Sequence, residues 1–265
     1  MKKTEILSNI ERLERARDFH NHAQPPNTVI KKVTPNYDYL RKGFFKQLGS
    51  RFAIPIFSLA GLACSNYFQM KIIGKENLKE IKNQGAIVTT NHINDFDCAL
   101  IKHAVKHRRI FYTVGEFNNY HGFFGSLLRA AGTLPLSDSP QCMKNLTNAI
   151  GQILQDKNII VFYPEGALWW CYEKPRPLVS GAYHYAVKNN VPILPIFFTF
   201  INKRKRKNGI YTKKFVLHIG KPIYPDPKLN QKENIKNMMD KNFEFNKTTY
   251  ETFYNRKLEY LPPFD

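Results

Sequence analysis

Thr89-Thr90-Asn91-His92-Ile93-Asn94-Asp95-Phe96-Asp97 is the stretch on which the reading of this chain turns. Immediately before it, Gly85-Ala86-Ile87-Val88 is a short apolar run of the kind that forms a buried strand. Immediately after it, Cys98, Ala99, Leu100, Ile101, Ala104 and Val105 recur at helical spacing. The pattern predicts a strand over 85–90, a corner, and a helix over 95–106 with Asn94 or Asp95 as N-cap. His92 then stands in the loop at the strand tip and Asp97 in the first helical turn, close enough for their side chains to meet. A carboxylate on one imidazole nitrogen fixes the tautomer and leaves the other nitrogen free to take a proton. Such a pair suits general-base removal of a proton from a hydroxyl that then attacks an acyl carbon. The plainer alternative is that Asp97 only answers the helix dipole and His92 fills a turn.

Working outward, residues 71–219 alternate between strand and helix patterns, which predicts an α/β domain. Strands are expected over 71–74, 85–90, 109–114, 133–136, 158–163, 191–200 and 213–219, with helices over 75–82, 95–106, 123–131, 140–155 and 180–188. Ser139 is expected to cap the helix that starts at Pro140, and Gly132 to stop the one before it. Residues 230–256 read as one or two polar helices. The predicted fold is one α/β domain with a mixed, mostly parallel sheet flanked by helices, preceded by an N-terminal helical membrane-docking segment. The expected boundaries are 1–70 for that segment, 71–225 for the α/β domain and 226–265 for a C-terminal helical tail.

The N-terminal 70 residues divide further. Ile6, Leu7, Ile10, Leu13 and Ala16 give a short amphipathic helix over 4–19, and Pro25, Pro26 and Pro35 mark a linker over 20–36. Tyr39, Leu40, Phe44, Phe45 and Leu48 then interleave with Arg41, Lys42, Lys46 and Arg51. The apolar run Phe52 to Cys64 follows, interrupted by Pro55 and shorter than the roughly 20 residues of a bilayer span. A basic aromatic helix followed by a short apolar one fits insertion into one leaflet; the alternative is a cover for a soluble core.

With 40 Lys and Arg against 21 Asp and Glu, the formal charge of +19 calls for a polyanionic partner: nucleic acid, an anionic membrane or a phosphate-bearing substrate. The basic run Lys203 to Lys207 lacks the interleaved aromatics of a nucleic-acid platform and reads as a solvated hairpin tip. Cys64, Cys98, Cys142 and Cys171 are widely spaced, as expected of reduced thiols in a cytosolic protein. The basic start has no apolar h-region, so no secretory signal is expected. His103 and His107 share a helix face, but no carboxylate pattern accompanies them, and no metal site is expected.

A second site begins at Val161-Phe162-Tyr163-Pro164-Glu165-Gly166, where a buried strand delivers a turn bearing a carboxylate. In open α/β sheets ligands collect at such strand ends; an ordinary turn with a solvated glutamate is the alternative. A third fragment is Val191-Pro192-Ile193-Leu194-Pro195-Ile196. The ordered set of Asn91-His92-x4-Asp97, Tyr-Pro-Glu-Gly and Val-Pro-Ile-Leu-Pro-Ile resembles the glycerolipid acyltransferase family over about residues 70–220. The resemblance implies His92 as general base toward a lysophospholipid hydroxyl and Asp97 as its orienting partner. It implies acyl-CoA or acyl-carrier protein as donor, with no further cofactor. The expected product, phosphatidic acid from 1-acylglycerol-3-phosphate, would be made at the cytoplasmic face of the cell membrane by a peripheral or monotopic protein.

The chain departs from the family where phosphate-binding arginines are expected: Ser137 closes one block, and Ala167-Leu168-Trp169-Trp170 replaces Thr-Arg-Ser in the other. Asn91, Glu165 and Gly166 remain as expected substrate-binding residues, with Lys174, Arg176 and Arg129 as substitute cations. Trp169 and Trp170 are expected to meet an acyl chain or a lipid interface. Glu116 and His121 are lesser candidates for the cleft, and His184 is expected to be packed or solvent-facing. A non-phosphate acceptor, loss of catalysis and a basic nucleic-acid-binding protein are the alternative functions.

Overall fold

The computed structural model describes residues 3–24, 30–105, 109–205 and 211–264. His107 and the hairpin tip at 206–210 lie outside them, so the His103–His107 pair and the end of the basic run are not placed.

The chain opens with α1 (Lys3–Arg15) and α2 (Phe44–Tyr67), then β1 (Lys71–Ile73), β2 (Ala86–Thr90), α3 (Asp97–Ala104) and β3 (Ile110–Val114). It continues through α4 (Gly122–Ala131), β4 (Thr133–Pro135), α5 (Pro140–Gln155), β5 (Ile159–Phe162) and α6 (Gly181–Asn189), and ends with β6 (Ile193–Lys205), β7 (Tyr211–Ile219) and α7 (Gln231–Tyr254). The helix expected over 75–82 is a short 3-10 turn at Lys75–Lys79. β6 and β7 run several residues past their expected ends toward the hairpin tip.

The seven strands form one sheet in the order β1-β7-β6-β2-β5-β3-β4. Every neighbouring pair is parallel except β6 and β7, which form an antiparallel hairpin. The central strands β2 and β5 are buried along their whole length. Their unbroken apolar and β-branched runs are what a parallel strand covered on both faces requires. One face packs on α5, α6 and α7 through Leu146, Ile150, Tyr183 and Met238. The other packs on α3 and on part of α2 through Leu100, Ile101 and Phe57. β2 and β5 lie side by side in register, so their carboxyl tips emerge together at one edge, the place where ligands bind in open α/β sheets.

The two flanking segments are built into this body. α7 is a single helix whose Asn242 side chain accepts hydrogen bonds from Thr89 Oγ1 (2.6 Å) and Tyr183 Oη (2.8 Å), so it closes the sheet face. α1 packs Ile6, Ile10 and Leu13 against Ala167, Trp169 and Tyr172.

α2 corrects the expected pair of helices. It is one helix of 24 residues with Pro55 inside it, and by length and composition it could cross a membrane. Its small residues Ser50, Ala53, Gly61 and Ser65 are the buried ones, while Phe44, Phe45, Phe52, Ile56, Leu59 and Leu62 face outward. That inverts the usual surface helix, which buries its large apolar stripe. At Gly61 the approach is so close that a Cβ would sit 2.4 Å from the Ala99 carbonyl oxygen, so any side chain there would push α2 off α3.

Candidate active site

The corner after β2 is built by a carboxylate. Asp97 Oδ2 accepts from the backbone N–H of Ile93 (2.9 Å) and of Asn94 (3.1 Å), which folds the loop back over the first turn of α3. Asn94 Oδ1 accepts from Phe96 N–H, so Asn94 shapes the turn and is not the cap expected of it; the capping position is held by Phe96. The same Asp97 oxygen lies 3.0 Å from His92 Nδ1. Asp97 is 1% exposed, and burial pushes its carboxyl above the usual carboxylate range against the pull of the imidazole and the two N–H groups. His92 keeps 22% of its side chain exposed, and Nε2 has no hydrogen-bond partner among the described residues. The result is a half-buried imidazole held by one nitrogen and open at the other.

Tyr163, the residue after β5, stacks on the imidazole at 4.1 Å between ring centres. Its hydroxyl meets Cys98 Sγ at 3.1 Å, so the stack is pinned to the residue after Asp97. Burial pushes the Cys98 thiol up to about 12 and the Tyr163 phenol well above its ordinary value. Both stay neutral at physiological pH, and Cys98 is no thiolate nucleophile. The loop after Gly166 returns along the same corner, with Trp169 N–H on His92 O (3.0 Å) and Cys171 N–H on Ile93 O (2.8 Å).

A positioned imidazole with a buried carboxylate behind it can deprotonate a hydroxyl and hold the proton as imidazolium. Among the described residues no group of three His, Cys, Asp or Glu could hold a metal ion. The acyltransferase family model matches residues 69–199, which contain both strand tips. The chain carries an acyltransferase-family domain. Its fold is similar to that of the 1-acyl-sn-glycerophosphate (LPA) acyltransferase PlsC from Thermotoga maritima. The TM-score is 0.60 and the identity 18%, over 83% of this chain and 87% of that one. No curated protein matches by sequence.

The acyltransferase domain does not use the remaining expected binding residues as anticipated. Asn91 is buried, donating to Phe198 O (2.9 Å) and accepting from Phe198 N–H (2.8 Å); it ties the end of β2 to β6. Glu165 and Arg176 are 1% and 0% exposed and form an internal ion pair at 2.9 Å. Glu165 also accepts from Arg176 N–H (3.0 Å), and Arg176 donates to the Phe19 carbonyl (2.8 Å). The pair thus braces the Pro-Glu-Gly loop from within. Gly166 adopts φ +86, which a residue with a Cβ rarely takes.

Lys174 pairs with buried Glu14 of α1 at 2.6 Å. Arg129 donates to Asn119 Oδ1 (3.0 Å) and the Tyr120 carbonyl (2.7 Å). None of the three substitute cations is therefore aimed into the cleft. Glu116 and His121 bind the 30–33 segment, through Val33 N–H (2.6 Å) and Ile30 O (2.8 Å). Trp169 and Trp170 are buried against α1 and are not placed for lipid. His184 faces solvent near Gln231. The Tyr163 stack went unseen in the sequence, although a tyrosine directly ahead of the Pro-Glu-Gly turn was the available signal.

Asp97→Asn is expected to leave the corner folded, because an amide oxygen can still take both backbone N–H groups. It removes the negative charge behind the imidazolium. Turnover should fall about 10²- to 10⁴-fold, measured beside an unchanged circular dichroism spectrum.

Proposed function

We propose that the protein is a membrane-docked O-acyltransferase that moves a fatty acyl group from acyl-CoA or acyl-carrier protein to the free hydroxyl of 1-acylglycerol-3-phosphate, giving phosphatidic acid. The observation that carries this reading is the His92–Asp97 contact at the carboxyl edge of the sheet, with Nε2 unpartnered among the described residues and the ring partly exposed. In the reaction, Nε2 takes the hydroxyl proton as the oxygen adds to the thioester carbon. The tetrahedral adduct expels the thiolate, and the imidazolium returns the proton to sulfur. The test is release of free thiol and formation of labelled diacyl product from labelled acyl-CoA with a panel of lyso-acceptors. Dependence on 1-acylglycerol-3-phosphate supports the reading, and no acylation of any acceptor with either donor ends it.

A second acceptor class is favoured by one observation. Arg176, Arg129 and Lys174 are all engaged internally, so none of them is set to receive a phosphomonoester. Faster acylation of acceptors that lack a terminal phosphate would select that reading within the same panel.

We place the docking on one leaflet at the cytoplasmic face; the outward stripe of α2 supports the contact with lipid. Ala53 packs against Ala130 and Ala131, and Phe57 and Leu127 flank them; α4 adds the exposed Phe123 and Phe124. A contiguous apolar patch on a protein surface marks an interaction site, and the stripe of α2 is a candidate for one. Phe52 and Leu59 are 66% and 67% exposed, so Phe52→Glu with Leu59→Glu should leave the fold intact. The double variant should lose flotation with anionic phosphatidylglycerol vesicles by more than tenfold; unchanged flotation would remove α2 from the docking surface.

A further inference from the structure

We propose that His22, from the segment that precedes α2, is a second imidazole of the active site and hydrogen-bonds the acyl carbonyl as it becomes an oxyanion. The proposal rests on the acyl-transfer reading above and assigns a residue outside the 69–199 span that matches the family.

The geometry runs through three consecutive residues. His20 Nδ1 lies 3.1 Å from the Glu165 carbonyl oxygen, and its Cβ rests 3.5 Å from where a Cβ of Gly166 would be, so residue 20 sits on the tip of β5. Asn21 O accepts from the Trp169 indole at 2.9 Å, and the Trp169 N–H is itself on His92 O at 3.0 Å. The His22 ring then stands edge-on to Phe117 at 4.9 Å. Phe117 follows β3, folded back over Gly115 at that strand's tip. The segment therefore crosses from the tip of β5 to the tip of β3, the strand on its far side from β2. It leaves His22 beside the β3 tip and within electrostatic reach of the imidazole that stacks on Tyr163.

The seating is firm. Arg176 holds the Phe19 carbonyl at 2.8 Å from inside the ion pair, and Phe19 packs on Trp169 and Tyr260. His22 keeps an exposed surface while part of its ring is covered. Its fixed neighbours are a backbone bond, from His22 N–H to Asn21 Oδ1 (2.8 Å), and the apolar edge of Phe117.

The chemistry asks for such a group. When the acceptor oxygen adds to the thioester carbon, the carbonyl pair moves onto oxygen, and a preorganised donor there is a large part of catalysis. Burial, then the nearby His92 and Arg176, hold the His22 pKa below its ordinary value. At neutral pH it is a neutral imidazole with one N–H to donate. His92 carries the moving proton from hydroxyl to thiolate, while His22 keeps its own proton throughout. Among the cations weighed from the sequence, Arg129, Lys174 and Arg176 are all turned inward, so none of them is set to take this role.

The test uses the full chain, acyl-CoA and the best lyso-acceptor from the panel. His22→Ala is expected to lower kcat about 10²-fold with KM for the acceptor within about threefold. His22→Gln, which restores a donor, should recover at least tenfold of that loss. An unchanged kcat in His22→Ala overturns the proposal. So does a loss that His22→Gln fails to relieve, or one that tracks a fall in Tm, since either assigns His22 to seating the segment. A second measurement does not depend on turnover. A ketone analogue of acyl-CoA, with carbon in place of the thioester sulfur, is added to protein with 15N-labelled histidine. The His22 ring resonance should move on binding in the wild type; a bound analogue that leaves it unmoved overturns the proposal. Retained turnover in His92→Ala would strike the general-base reading instead, whatever His22 shows.

Discussion

His92→Ala is expected to reduce acyl transfer by about 10³-fold or more with the fold intact, the largest effect of any single change at the site. The imidazole contributes nothing to the core that a smaller side chain would forfeit: it is partly exposed, stacked on one ring and held by one oxygen. What is lost is the proton acceptor, typically worth 10²–10⁴ in rate. The loss is greater where the base also carries the proton to the leaving thiolate. Single-turnover measurement of thiol release, with donor binding followed separately, checks it. Donor affinity should stay within a fewfold of wild type, because the imidazole acts in the transition state more than in the ground state. Near wild-type turnover would remove His92 from the reaction.

Arg176→Met should produce the largest loss of stability. It strips Glu165 of its guanidinium partner in a site where both are almost wholly buried. It also takes a donor from the carbonyls of Phe19 and Ala167 and a cation from the face of Trp169 at 4.5 Å. Breaking a buried pair from one side costs about 3–5 kcal/mol, which in a chain of this size is a Tm drop of about 10 °C. Burial pulls the Arg176 pKa down, and Glu165 pulls it back up; the charge survives because of its partner. Glu165→Gln with Arg176→Met should therefore be less destabilised than Arg176→Met alone. Were Arg176 a phosphate-binding side chain, its removal would raise KM for phosphorylated acceptors and leave Tm unmoved. Thermal melts of the single and double variants separate the two.

Apart from the 3-10 turn at Lys75–Lys79, residues 71–219 were legible in the sequence because each strand is a short apolar run and each helix keeps its period. The resulting sheet brings the His92 and Glu165 corners to one edge, as the ordered motifs implied. What pattern could not reveal was the direction of polar side chains near the site. Asn91 beside a candidate base reads as a ligand, yet its amide matches the backbone groups of Phe198 so well that it closes a gap between strands. Arg176 and Glu165 read as two substrate-binding charges eleven residues apart, yet the loop through Gly166 brings them together inside. α2 was divided because Pro55 and a change from basic to apolar residues both suggest a break. Tertiary contacts with α3 and α4 override the proline, which removes one backbone donor without ending the helix. The proline-marked segment over 20–36 was taken for a linker. Its long-range partners among the described residues lie 83 to 148 residues away, where local pattern carries no information.

The crossing at Gly61 ties two parts of the molecule together. With no side chain between them, the backbone of α2 rests on Ala99, two residues beyond Asp97. A bilayer engaging the outward stripe of α2 would thereby set the height of the His92 opening above the lipid, since nothing compliant separates anchor from reaction centre. Bulk introduced at this glycine would act as a shim, tilting the catalytic helix and the anchor apart and altering access to lipid acceptors before it altered attack by a water-soluble one.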